Sequence, residues 1–139
     1  MGTIIPFVTV DDAASAIAFY KDVFNAEVQG EITMLQSVPG MDLPEYAGKI
    51  GHCNLRIYDS VIFINDAIEQ HPLQPGDRIQ LVLDLPDEET LKRVFKLLSL
   101  EGTVVQPLET VFWGGLFGTV KDKFGVNWQI YARSNKTAE

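Results

Sequence analysis

The feature that most constrains the fold is an internal repeat with an offset of 75 residues. Residues 3–10 have a strand pattern, Asp12 follows as a plausible helix cap, and apolar residues then recur at helical spacing. The same order returns over residues 79–98, where Asp87 takes the place of Asp12. Two unrelated strand–helix units, which are common in α+β proteins, would be the alternative explanation. The constant order and offset favour a true repeat.

Each half of the chain continues after its helix with three strand patterns, so the order βαβββ occurs twice. These patterns start at 25–28 and 101–104, and the later ones cover 51–58, 61–65, 116–121 and 126–132. One such module has a single helix and an open sheet, and it cannot bury both sheet faces alone, whereas two modules can share a cleft. The sequence therefore predicts an α+β fold in which two tandem βαβββ modules form a curved mixed sheet around a cleft.

The whole chain, residues 1–139, is expected to form a single domain. Module one covers about 3–69, a linker with two prolines and a glycine covers about 70–77, and module two covers about 78–133, before a frayed polar tail at 134–139. Residues 35–50 make a connection that is longer than a hairpin needs. This connection either covers a ligand or is an insertion without a role.

Composition excludes several classes of partner. The 139 residues are 46% hydrophobic, which is enough for one good core, and the net charge of -8 would repel a nucleic-acid backbone. The single cysteine, Cys53, cannot form an internal disulfide, and the N-terminus has no basic segment followed by an apolar one. No apolar run approaches the roughly 20 residues of a membrane span. We expect a cytoplasmic protein that binds neither nucleic acid nor membranes.

Two strands carry polar side chains on one face only. Alternation places His52, Asn54, Arg56 and Tyr58 opposite the apolar side chains of Cys53, Leu55 and Ile57. The last strand likewise alternates Asn127, Gln129 and Tyr131 with apolar residues. These polar faces are expected to line the cleft together with Gln80. His52 either belongs to that site or starts a solvent-facing edge and has no specific role.

The repeat and its local motifs resemble those of a known family. Pro6-Phe7-Val8 in module one and the segment TVFWGGLFGTVKDKFGVNW at 110–128 are similar to sequences of the glyoxalase/bleomycin-resistance (vicinal oxygen chelate) superfamily. The PhnB-like branch is the nearest match. The resemblance covers residues 3–133 and implies a fold more safely than it implies a reaction.

Metal enzymes of this superfamily hold a divalent ion with side chains from the first and last strands of each module, and the resemblance places those positions in this chain. The first-strand positions are Ile5, which cannot bind a metal, and Gln80, a weak neutral donor. The last-strand positions are Gln129 and a residue within 63–65. Such sites normally need anionic ligands to offset the desolvation of the ion. We therefore expect no metal and no other cofactor.

Two classes of function remain open. The first is a small-molecule binding protein, similar to metal-free drug-sequestering members of the superfamily. In it, apolar contact would come from Phe7, Tyr58, Phe63 and Trp113, and the ligand would be oriented by His52, Arg56, Gln80 and Gln129. The second is an enzyme of the superfamily, a lyase, isomerase, dioxygenase or thiol transferase, that uses a metal or His52 as a general base.

The resemblance also bears on assembly and on one further label. Members of the superfamily commonly dimerise, so a homodimer is expected. PhnB-like proteins have also been labelled ubiquinone-precursor methyltransferases by similarity. This chain has no glycine-rich strand-to-helix segment of the kind that binds a nucleotide, so that label has little support in the sequence.

Overall fold

The computed structural model describes residues 2–133, which divide into two compact units with a boundary between Gln74 and Pro75. Each unit contains one α-helix and one four-stranded sheet with both parallel and antiparallel pairs. This is the predicted α+β fold with the order βαβββ in each half. Within residues 2–133, neither helix combines the length and apolar character that crossing a membrane would require.

Unit one contains a sheet whose strands lie in the order β1-β4-β3-β2. The elements are β1 (Phe7–Val10), α1 (Ala13–Phe24), β2 (Glu27–Met34), two 3-10 turns (Leu35–Ser37 and Pro44–Tyr46), β3 (Ile50–Ile57) and β4 (Ser60–Asp66). The β1–β4 pair is parallel, and the β2–β3 and β3–β4 pairs are antiparallel. Two parallel strands need a long crossover connection between them. Here α1, β2 and β3 lie between β1 and β4 in the chain.

Unit two repeats this arrangement with the strand order β5-β8-β7-β6. Its elements are β5 (Leu81–Leu85), α2 (Glu88–Leu98), β6 (Thr103–Thr110), β7 (Leu116–Lys121) and β8 (Asn127–Ala132). Again one pair, β5–β8, is parallel, and the β6–β7 and β7–β8 pairs are antiparallel.

The strand register confirms the internal repeat at single-residue level. Phe7 lies opposite Phe63 in unit one, and Val82, which is 75 residues after Phe7, lies opposite Gln129 in unit two. The next partners agree as well, since Phe63 faces Asn54 and Gln129 faces Thr119. The two sheets are therefore equivalent row by row.

Both helices begin at the predicted aspartates. The Asp12 carboxylate accepts hydrogen bonds from the hydroxyl and the backbone N–H of Ser15, and these bonds hold the pKa of Asp12 below its ordinary value of 3.8. Asp87 accepts from the backbone N–H of Thr90 at 2.7 Å, which lowers its pKa in the same way. Because the folded state favours the two anions, the caps stabilise the fold above pH 3.8 and lose that effect as the pH falls below it.

Each helix covers one face of its own sheet. In unit one, Tyr20 and Phe24 of α1 are buried along with Leu55 and Ile64 of the sheet. Cys53 belongs to this core, as predicted, and burial raises the pKa of its thiol. In unit two, the buried residues include Leu91, Val94 and Leu98 of α2 and Val120 and Ile130 of the sheet. The apolar residues that alternate along the strands therefore face the helix of their own unit.

Both first strands start later than the sequence pattern predicts. The predicted strand at 3–10 begins at Phe7, and the predicted strand at 79–85 begins at Leu81. Pro6 accepts a bond from the N–H of Phe63 but has no N–H to donate, which ends the pairing at that point. Ile4 and Ile79 lie beyond the ladders and are 97% and 82% exposed.

Candidate functional site

The face of the first sheet opposite α1 is built from rows of side chains that cross the strands. The central row contains Phe7, Phe63, Asn54 and Gln29, which are successive partners in the strand register. Beside it lie two further pairs, Thr9 with Asn65 and His52 with Thr33. Because side chains alternate along a strand, the row and both pairs emerge on the same side of the sheet.

Three rings form a cluster on this face. His52 and Phe63 lie 4.4 Å apart between ring centroids, and Phe7 lies 5.8 Å from each of them. All three contacts are edge-to-face, which is a favoured geometry for aromatic pairs. Phe7 is 53% exposed, while His52 and Phe63 are half-buried. The predicted residues Phe7, His52 and Phe63 are thus brought together as one cluster of aromatic rings.

Polar groups beside the cluster differ in whether they have a hydrogen-bond partner. The Thr9 hydroxyl donates to Oδ1 of Asn65 at 2.8 Å, so these two side chains complete each other. Oδ1 of Asn54 is buried and has no hydrogen-bond partner among the described residues. Buried polar atoms without a partner are rare in folded proteins and call for an explanation.

Tyr58 lies outside the strand alternation that predicts its face, whereas Arg56 still lies within β3. Strand β3 ends at Ile57, and Tyr58 adopts a left-handed conformation with φ of 53°. The strand alternation therefore stops before Tyr58, whose ring contacts that of Phe24 on α1 at 6.0 Å. The Tyr58 carbonyl accepts a bond from Nε of Arg56 at 3.0 Å. Both residues line a separate open pocket of about 300 Å³, together with Phe24, Asn25 and Glu27.

A larger cavity of about 520 Å³ lies among the loops of unit one. Its lining includes Tyr46 and Lys49 from the connection after β2, and Ile68 and Gln70 from the segment after β4. The Gln70 side-chain amide donates to the Glu45 carboxylate at 3.0 Å across these two segments. The connection at 35–50, for which the sequence left a ligand cover and an insertion without a role equally open, thus forms one wall of a cavity.

In unit two, the predicted residues Gln80 and Gln129 meet directly. Nε2 of Gln129 donates to Oε1 of Gln80 at 2.6 Å, and Nε2 of Gln80 donates to the Asp77 carbonyl at 3.3 Å. In the same row, the Thr119 hydroxyl donates to Oε1 of Gln106 at 3.1 Å. The middle of this face is therefore a chain of neutral amide and hydroxyl groups.

The remaining predicted residues of unit two lie around that chain. The Tyr131 hydroxyl donates to the Gly114 carbonyl at 2.7 Å, and its ring lies 6.2 Å from that of Trp113. Trp113 is 54% exposed, so it is a surface aromatic and not part of the core. Asn127 donates to the Gly76 carbonyl at 3.1 Å, which ties β8 to the segment before β5.

The residues at the family's metal positions do not fit a divalent ion. Gln80 and Gln129 are bonded to each other, and the register now identifies Phe63 as the counterpart of Gln129 in unit one. Ile5 at the remaining position is a hydrocarbon side chain that is 39% exposed. Across residues 2–133, His, Cys, Asp and Glu side chains nowhere gather in a group of three that could hold a metal. The prediction that the two faces share one cleft stays a prediction.

Sequence reasoning missed several members of the two faces. Thr9, Gln29, Gln106 and Thr119 lie in or beside the same rows as the predicted residues. Alternation alone could have found Thr9, two residues after Phe7, and Thr119, in a strand that the sequence located correctly. Alternation could not have assigned Gln29 and Gln106 to a face. Both lie near the start of a predicted strand, and the pairing becomes irregular directly after each of them.

Comparison with known proteins agrees with the geometry. The protein Rv0887c of Mycobacterium tuberculosis, whose function is uncharacterised, is 34% identical over 133 residues, which cover 90% of this chain and 71% of that protein. The structure of PA1353 from Pseudomonas aeruginosa superposes with a TM-score of 0.83 at 21% identity, covering 97% of this chain and 100% of the other. The PhnB protein of Bacillus cereus superposes with a TM-score of 0.78 at 23% identity, covering 94% and 99%. A family model matches residues 4–130, and the chain belongs to the glyoxalase/bleomycin resistance protein/dioxygenase superfamily.

Proposed function

We propose that this chain is a small-molecule binding protein of the PhnB-like type that works without a divalent metal. The observation that carries the proposal is the hydrogen bond of 2.6 Å between Gln129 and Gln80. The bond uses an amide oxygen that a metal would need, and it leaves two neutral side chains where metal enzymes of this fold place charged ones. A divalent ion there would lack the negative charge that offsets its desolvation.

Apolar surface beside the polar groups supports ligand binding. Phe7 and Trp113 expose more than half of their side chains, each on its own unit and each beside another aromatic ring. Binding sites for small molecules commonly combine aromatic surface with a few polar groups that orient the ligand. Asn54 and His52 supply such groups beside Phe7, and Gln129 and Tyr131 supply them in unit two.

Metal analysis is the direct test of this proposal. Protein purified from cells grown with Fe, Ni, Zn and Mn should contain far less than one equivalent of any of them. Its melting temperature should stay unchanged when a chelator is added, because no folding energy comes from a metal. One equivalent of bound metal, with a lower melting temperature after chelation, would support the metal-dependent enzyme instead.

The PhnB resemblance does not lead us to propose methyl transfer. The Bacillus cereus protein is described as a provisional 3-demethylubiquinone-9 3-methyltransferase. In this chain, the glycines of the segment 114–118 lie in the turn before β7 and in β7 itself, not between a strand and a helix. A nucleotide-derived methyl donor normally needs a glycine-rich turn that leads into a helix.

A homodimer is part of the proposal. Exposed apolar side chains, among them Phe112 at 97% and Trp113 at 54%, offer surface that a second copy could cover. Light scattering on the purified protein should then give twice the mass of one chain at micromolar concentration. The mass of a single chain would contradict the dimer and leave the binding function unaffected.

A further inference from the structure

We propose that the ligand on the sheet face opposite α1 is a planar heteroaromatic molecule that donates a hydrogen bond to Oδ1 of Asn54. This inference rests on the binding function proposed above and adds the chemical class of the ligand. It begins from the one buried side-chain atom without a hydrogen-bond partner that the described residues contain.

The unpartnered oxygen of Asn54 differs from the polar groups at neighbouring and equivalent positions, which are hydrogen-bonded. In the adjacent pair, Asn65 accepts from Thr9 at 2.8 Å, and in unit two the position equivalent to Asn54 is Thr119, which donates to Gln106 at 3.1 Å. Among these side chains, Asn54 is the one with a buried atom that has no hydrogen-bond partner within residues 2–133. A buried acceptor without a donor costs stability, and a ligand N–H or O–H would recover that cost on binding.

The surroundings of Asn54 define the rest of the ligand. Phe63 is its register partner on β4, and Phe63 in turn contacts Phe7 and His52 through edge-to-face ring contacts. A flat aromatic ring can pack on the exposed part of Phe7 while its edge is directed along the row toward Asn54. Gln29, the partner of Asn54 on β2, is exposed, so its long side chain can move and open the position.

The donor requirement can be tested with two probes that differ by one group. Indole and 1-methylindole have the same ring system, and methylation removes the N–H. In NMR titrations of the wild-type protein, both should shift signals of β1, β3 and β4, and indole should bind about threefold to tenfold more tightly, as one net hydrogen bond predicts. Equal affinities would overturn the inference while leaving the binding function intact. No shift with either probe would also overturn the inference, because the ligand class it names would not bind this face.

A substitution separates a ligand-binding role from a structural one. Asn54→Leu keeps the shape of the side chain and removes the unpaired oxygen, so the ligand-free variant should melt at the same or a higher temperature. It should also bind the two probes with equal affinity. The control Asn65→Leu breaks the bond with Thr9 and should melt at a lower temperature. If Asn54→Leu melts as low as the control, Asn54 has a structural role and the inference is wrong. The wild-type comparison of the two probes holds even if a variant fails to fold.

Discussion

Replacing Asp122 with alanine is expected to reduce the free energy of unfolding by about 3–5 kcal/mol, because one buried and two part-buried donors lose their acceptor at once. Asp122 is 3% exposed and lies in the turn between β7 and β8. Its carboxylate accepts from the backbone N–H groups of Phe124 and Val126 at 2.9 and 3.1 Å, and from the indole N–H of Trp128 at 2.8 Å. Urea titration monitored by circular dichroism measures the loss.

Two further variants show whether those bonds are the cause. Trp128→Phe removes the indole donor, so adding Asp122→Ala to that background should cost less than it does in the wild type. The exposed carboxylate of Asp84 on β5 serves as the matched control, and Asp84→Ala should change stability by less than about 0.5 kcal/mol. If Asp122→Ala and Asp84→Ala lose similar amounts, the proposed anchoring of the turn is wrong.

The role of Asp122 illustrates how much of the fold the sequence could predict. Residues 122–125 were recognised as part of a family motif, and the surrounding strands were placed within a residue or two of their observed ends. The repeat predicted the order of elements because each module must bury the same helical stripe. The bonds from the Asp122 carboxylate to Trp128 and the turn were not visible in the sequence, since they depend on the geometry of the turn.

The candidate site was less predictable than the fold. Alternation along a strand assigns residues such as His52 and Asn54 to one face, but alternation alone did not place Phe7 and Phe63 beside His52. It does not fix which residues lie opposite each other across strands, and the counterpart of Gln129 could therefore be narrowed only to 63–65 before the register identified Phe63. Tyr58 was misplaced because the backbone enters a left-handed turn where the pattern still continues.

The rows that hold the predicted site residues carry few charged side chains, which agrees with a ligand site built from neutral hydrogen-bonding groups. The net charge of -8 makes the chain acidic as a whole, yet the rows that hold the predicted site residues are mostly amide, hydroxyl and aromatic. Hydrogen bonds between such groups orient a ligand without the desolvation cost of a buried carboxylate. Specificity for a ligand would then depend on shape and on individual donors and acceptors such as Asn54.

Replacing Gly102 with alanine is the second substitution for which we expect a large effect, a loss of about 2–4 kcal/mol, because the added carbon meets backbone that cannot move aside. A Cβ at Gly102 would lie 2.5 Å from the Lys121 carbonyl oxygen and 3.1 Å from Cα of Asp122. Relief would require β6 to separate from β7 near the Asp122 turn. Because Gly102 lies just before β6, the clash tests whether this pairing is as close as the structure indicates.

A series of glycine variants makes the test specific. A Cβ at Gly118 would meet side-chain atoms of Phe95 and Leu108 at 2.7 and 2.9 Å, which can shift partly, so Gly118→Ala should lose less than Gly102→Ala does. Gly76 has open space around it and no positive φ, so Gly76→Ala should be neutral or slightly stabilising. The urea midpoint should be lowest for Gly102→Ala, higher for Gly118→Ala and highest for Gly76→Ala. A Gly102→Ala protein as stable as Gly76→Ala would show that β6 and β7 are not packed this closely at Gly102, and the close β6–β7 pairing beside the Asp122 turn would have to be revised.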